Sequence, residues 1–303
     1  AVVYACCPPT AGHDVSLEVD PASVFTGLLE DYRGIGVSRL SFGVQSFQAA
    51  ILTTLGRLHD AETASRGIEF ARAAGFKNIN VDLIYGVPGQ TLRLVQQDLR
   101  TTVEHGPEHV SIYGLTYEKN TPFYTWRDRG VLSPISEDAE TEMYECIHDS
   151  FRASGYQHYE ISNFCRPGFQ SRHNVGYWQG KSYLGVGAGA HSYASTPGWG
   201  WRRSNLTNPT QYMDAVFAGR SSAQMKETLT KDQARTEYMF LTLRQSAGIT
   251  LKEFSRRFGA ELLETYPHTL NYVKRGLIEV DDGILRLTRQ GVLLADNIFA
   301  SFA

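Results

Sequence analysis

Glu18, Gln45 and Asp82 are polar residues at or near the ends of three short, β-rich runs, and Arg57 follows soon after the second run. Two carboxylates, an amide and a guanidinium are the groups that grip a polar, partly charged ligand at fixed points. Each residue alone could equally cap a helix or satisfy a turn. A second constellation lies further along, where His173, Asn174, Tyr177 and Trp178 place an imidazole, an amide, a phenol and an indole close together. Its alternative reading is a structural histidine hydrogen-bonded in a polar loop. Gly86, Gly89, Gly185, Gly187 and Gly189 read as backbone-geometry positions. The last three lack the preceding strand and following helix of a nucleotide loop.

The elements that would carry these residues follow from periodicity. Strands are expected at Val15–Val19, Arg39–Val44, Ile79–Ile84 and Val110–Leu115. Helices are expected at 21–32, 49–55, 61–74 and 92–105. Repeated strand–helix units imply a parallel sheet, which gathers ligands at the carboxyl ends of its strands. A long helix is expected over Glu137–Ser154, and 156–205 is rich in Gly, Tyr, Ser and Asn with little periodicity. Helices at Lys231–Arg244, Leu251–Phe258 and Glu264–Arg275 precede a hairpin, Leu277–Val280 and Leu285–Thr288, about Asp281-Asp282-Gly283. A last helix covers 289–299, and three helices with a hairpin make a winged-helix shape.

Composition excludes several classes. The chain has 303 residues, net charge −3 and 42% hydrophobic residues, enough for a sizeable core. From Glu227 onward ten basic residues face ten acidic ones, so the winged helix lacks the positive surface that nucleic acid requires. No apolar run approaches the ~20 residues of a membrane span, and the first residues do not form a secretory signal, so a cytoplasmic protein is expected. Cys6, Cys7, Cys146 and Cys165 are too sparse for a disulfide framework and lack the close triplet spacing of an iron–sulfur site.

Several segments resemble the oxygen-independent coproporphyrinogen III oxidase family, a branch of the radical S-adenosylmethionine (SAM) enzymes. They are Ser16–Pro21, Arg39–Phe47, Leu55–His59, Asn80–Thr91, His109–Tyr113 and Thr121–Phe123, in family order. Glu160–Phe164, Ser171–Trp178 and Gly185–Ser192 resemble the heme-chaperone branch more closely. The resemblance implies a partial parallel (β/α) barrel of radical SAM type, with a small winged-helix-like C-terminal domain. The expected boundaries are 1–14 for an atypical start, 15–220 for the barrel and heme-motif region, and 225–303 for the C-terminal domain.

It also implies that Glu18, Gln45, Arg57 and Asp82 contact SAM, that His173 ligates heme iron, and that Asn174, Tyr177 and Trp178 complete the heme site. Arg172, Arg202 and Arg203 could pair propionates on charge alone. The family's [4Fe–4S] cluster is held by a C-x3-C-x2-C loop in strand–helix units expected upstream of Val15. Its cysteines are absent from this sequence, so the cluster belongs to an intact parent of which this is an N-terminally truncated form. The function implied is binding of heme and delivery to an acceptor protein, free or membrane-bound. The alternatives are a coproporphyrinogen III dehydrogenase of porphyrin biosynthesis and a non-catalytic heme- or partner-binding remnant. No catalytic residue is singled out. A second copy of the chain is a further candidate partner, and nucleic acid is not.

Overall fold

The computed structural model describes residues 2–6, 8, 10 and 12–303; Cys7 lies outside them. The chain divides into two compact units, Ala1–Gln170 and Ser171–Ala303.

The first unit is built on a six-stranded sheet in the order β1-β2-β3-β4-β6-β5. Strands β1 (Ser16–Val19), β2 (Arg39–Gln45), β3 (Ile79–Tyr85) and β4 (His109–Gly114) run parallel. β5 (Gln157–Glu160) and β6 (Asn163–Cys165) extend the sheet antiparallel, an addition the strand–helix pattern did not predict. Successive residues of a strand point to opposite faces. Leu40, Phe42, Val44, Ile79, Val81, Leu83, Val110 and Ile112 therefore share one face. It packs on Ala64, Ile68 and Ala71 of helix Ala61–Ala73, Val95 and Leu99 of Leu92–His105, and Met143, Ile147 and Phe151 of Glu137–Ala153. Asp60, Thr91 and Ser136 cap these helices through their side chains. The expected helix over 21–32 is instead a short turn, Pro21–Ser23, and a separate helix, Thr26–Gly34, because Val24 and Phe25 are extended.

The second unit contains the stretch that lacked periodicity. Helix Arg172–Trp178 precedes a three-stranded antiparallel sheet of β7 (His191–Ala194), β8 (Trp201–Asn205) and β9 (Ala223–Thr228). Among the described residues these strands pair with one another and, through a bridge to Tyr193, with Tyr183, and the segment belongs to the same compact unit as the C-terminal residues. The boundary expected from sequence, 15–220, places it with the barrel instead. A second small sheet joins β10 (Ile249–Thr250), β12 (Ile284–Leu287) and β11 (Ile278–Asp281) beside helices Lys231–Leu243 and Leu251–Phe258, giving the winged-helix arrangement. The helix expected over 264–275 is broken at Tyr266 (φ −126°, ψ 68°), since the residue before Pro267 is pushed out of the helical region. The last helix likewise breaks at Leu294.

The glycines singled out from sequence meet the geometric demand. Gly187 and Gly189 have φ of +109° and +71°. A Cβ on Gly185 would lie 2.0 Å from the backbone oxygen of His191. The Ser192 hydroxyl and the Asn205 amide bind this loop to the sheet. Gly185→Ala is expected to lower stability by about 2–3 kcal/mol or more, as overpacking against rigid backbone does. Urea denaturation of the purified variant would measure it.

Candidate functional site

The face of the first sheet opposite its apolar core is polar. Alternation places Glu18, Arg39, Ser41, Asn80, Asp82, His109, Ser111 and Tyr113 there, and Asn80 is the hub. The Asn80 amide NH2 donates to Ser41 Oγ and to Asp82 Oδ1, both at 2.7 Å. Its Oδ1 accepts from the Ser111 hydroxyl at 3.2 Å and faces His109 Nδ1. Ser41 Oγ donates to Asp82 Oδ2 at 3.0 Å. Because Asn80 Oδ1 only accepts, His109 carries its proton on Nδ1, and Nε2 accepts from the Tyr159 hydroxyl at 2.7 Å. Burial holds the His109 pKa well below the usual imidazole value, and nearby Arg39 lowers it further, so the ring is neutral. Burial raises the Asp82 pKa, against the opposing hydrogen bonds from Asn80, Ser111 and Ser41 and the charge of Arg39.

Glu18 and Asp82 face common ground. Burial raises the Tyr113 phenol pKa, and the charges of Asp82, Glu160 and Glu18 add to the rise, so all three carboxylates act electrostatically on this phenol. Gln45 closes β2 in the left-handed region, at φ 68°, where few residues other than glycine sit. A Cβ on Gly43 would meet the Gln45 Nε2 at 3.1 Å. The Gln45 amide thus folds back over Gly43, on the same face as Arg39 and Ser41.

Two groups distant in sequence hold that strained corner. His59 Nε2 donates to the Val44 carbonyl at 3.0 Å. Asp98 of helix Leu92–His105 accepts from Ser46 Oγ (2.7 Å), Phe47 N (2.8 Å) and Gln48 Nε2 (3.0 Å). Arg57 is exposed after helix Ala49–Thr54, in the segment that His59 pins to the end of β2. Its side chain has no hydrogen-bond or ion-pair partner among the described residues, and no contact joins it to Glu18, Gln45 or Asp82.

Sequence reasoning looked at strand ends and missed the middle of the same face. Arg39 is only 8% exposed, yet its Nε has no hydrogen-bond partner among the described residues, and the same holds for Asn163 Oδ1. The missed signal was alternation itself: Arg39-Leu40-Ser41-Phe42, Asn80-Val81-Asp82-Leu83 and His109-Val110-Ser111-Ile112.

In the second unit, helix Arg172–Trp178 carries the other constellation, begun by Ser171, whose hydroxyl accepts from Asn174 N. His173 is exposed on this helix, and its ring has no hydrogen-bond partner among the described residues. It is neither in a loop nor tied by hydrogen bonds. One turn later, Tyr177 presents its ring edge-on at 4.5 Å. The row continues to Tyr183 at 4.6 Å and Tyr193 at 6.1 Å. Trp178 points elsewhere: the Arg244 guanidinium lies 4.5 Å over its ring, and its Nε1 is buried without a partner among the described residues. One indole face expected to be free for a flat ligand is therefore covered. Arg202 is also committed, to Glu227 at 2.7 Å and Glu237 at 2.9 Å, so its charge is not available to a propionate.

Among the described residues no trio of His, Cys, Asp or Glu is placed to hold a metal ion. Cys6 is exposed, and Cys146 and Cys165 carry free thiols; burial pushes the Cys165 thiol up to about 11. No described helix is long and apolar enough to cross a membrane.

The class of protein follows from fold and sequence together. Residues 7–102 match the radical SAM superfamily, and residues 229–294 match the HemN C-terminal domain. The solved structure of Escherichia coli coproporphyrinogen III oxidase (HemN), a radical SAM enzyme, superposes with a TM-score of 0.79. It covers 97% of this chain and 70% of that one; at 24% identity this likeness shows the fold, a partial radical SAM barrel with a helical C-terminal domain. The heme chaperone HemW of Bacillus subtilis is 35% identical over 95% of this chain and 76% of its own length. HemW of Lactococcus lactis is 34% identical over 95% and 75%. This chain belongs to the HemW family.

Two outcomes test the first unit. Asp82 has a raised folded pKa, so the folded state loses stability as pH climbs from the unfolded value near ~3.9 through the folded one. Asp82→Asn removes that loss, and its denaturation midpoint relative to the native protein should rise from pH 4 to pH 7. Asp98→Ala strands the Ser46, Phe47 and Gln48 donors and should cost about 2–4 kcal/mol in the same assay.

Proposed function

We propose that this chain binds heme through His173 and passes it to an acceptor protein, and that the polar face of β1–β4 is its SAM site. Family membership sets the class, and one observation supports the specific reading: His173 is an exposed imidazole with no hydrogen-bond partner among the described residues, backed by the edge of Tyr177. A neutral imidazole is a common axial ligand for heme iron. An imidazole exposed on a short helix is within reach of an acceptor, free or membrane-bound, as transfer would require.

The residues of the polar face suit SAM. When bound, SAM supplies a sulfonium nucleoside that also carries an amino and a carboxylate group. Asp82 and Glu18 offer carboxylates to its donors, Gln45 offers an amide positioned by Asp98 and His59, and Arg57 offers a guanidinium to its carboxylate. The hydrogen bonds linking His109, Asn80 and Asp82 keep these groups in place before any ligand arrives. The described residues do not fit a [4Fe–4S] cluster, and no step is assigned to one in this chain.

Heme titration followed at the Soret band tests the heme assignment. His173→Ala should weaken binding at least about tenfold and change the band position, as loss of an axial ligand does. Tyr177→Phe, which keeps the ring edge, should bind nearly as the native protein. An unaltered Soret band in His173→Ala would remove this residue from the heme site.

A further inference from the structure

The sheet β7-β8-β9 has two faces of opposite electrostatic character. Tyr193, Arg202 and Glu227 share the first, which carries the aromatic row that begins at His173, and its arginine is neutralised by Glu227 and Glu237. Ser192, Ala194, Trp201, Arg203, Lys226 and Thr228 share the second. There Arg203 stands directly opposite Lys226 on the paired strand. Like charges so placed repel. Neither side chain has an ion-pair or hydrogen-bond partner among the described residues, and Arg203 Nε is closed off from solvent.

A cavity of about 370 Å³ opens beside this pair, lined by Trp201, Arg202, Arg203, Lys226, Glu227 and Thr228. That volume lies within the roughly 300–1,000 Å³ of small-molecule sites. Two unbalanced cations beside an indole and a hydroxyl form a recognition set for an oxyanion attached to a flat ring. The guanidinium and ammonium meet the charge, and the indole meets the ring.

We infer that this cavity is an anion site for a planar ligand bearing carboxylates or phosphates, and that it is separate from the His173 site. It goes beyond the proposed iron ligation, because the Arg203–Lys226 pair it is built on projects from the other face of the sheet and it uses no metal. A dicarboxylate porphyrin supplies this chemistry through its propionates, and a nucleotide supplies it through its phosphates.

The test uses the full chain with iron-free deuteroporphyrin, its dimethyl ester and ATP, each titrated against tryptophan fluorescence. Arg203→Gln should weaken binding of the recognised ligand at least about tenfold. Lys226→Glu places a carboxylate opposite Arg203, so it should abolish binding while the thermal midpoint stays equal or rises. A loss of affinity with undiminished stability separates a binding role from a structural one. Lys274→Gln, an exposed cation elsewhere, should bind as the native protein.

Charge-dependent binding of deuteroporphyrin assigns the site to a tetrapyrrole, and of ATP to a nucleotide; either supports the inference. Binding of neither, equal binding of the dimethyl ester, or full affinity in both charge variants overturns it. His173→Ala should leave iron-free porphyrin binding intact, so this inference and the heme assignment fail independently. Loss of that binding in His173→Ala would sink the claim of a separate site.

Discussion

The first unit depends on period-two alternation in four parallel strands. One set of side chains is wholly apolar and locks the sheet to three helices. The set between them is almost wholly polar and must satisfy its own hydrogen bonds, because a buried polar group without a partner costs about 1–3 kcal/mol. Asn80 meets that demand by joining Ser41, Asp82, His109 and Ser111. A one-residue slip in any strand would exchange the two faces, burying the carboxylate of Asp82 among helices and turning Phe42 or Val81 into the polar face. Fold and site are therefore specified by the same pattern.

Strain and charge are concentrated where that pattern ends. Gln45 occupies a backbone region that costs a non-glycine residue about 1–3 kcal/mol, and such residues persist only when the surroundings over-determine them. Here His59 fixes the carbonyl before it and Asp98 fixes the three residues after it. Asp98 is itself a buried carboxylate with a raised pKa, caused by desolvation that its three donors only partly offset. The corner keeps a desolvated acid whose hydrogen bonds hold the segment after Gln45 in place.

The second unit solves a different problem with the same alternation. Its small sheet separates an aromatic, charge-balanced face from a basic, unbalanced one. Arg202 and Arg203 are neighbours in sequence and opposites in circumstance: one is held by two glutamates, and the other stands between Ser192 on one paired strand and Lys226 on the other. Adjacent arginines in a strand are never equivalent, since they project to opposite sides.

By itself the sequence determined the strand–helix alternation, the family, the glycine positions and the strand-end residues Glu18, Gln45 and Asp82, together with the cluster around His173. These depend on local periodicity and on runs of residues that need no partner to be recognised. The antiparallel strands β5 and β6, the sheet β7-β8-β9 and the break at Tyr266 were not legible in the periodicity, because strands of three to six residues with little apolar alternation take their pairing from tertiary context. Tertiary structure also decided that Arg202 is spoken for, that Arg244 covers Trp178, and that Asp98 and His59 serve Gln45. Each of those depends on which charge or donor lies fifteen or more residues away in sequence yet adjacent in space, and no spacing along a single chain encodes that proximity.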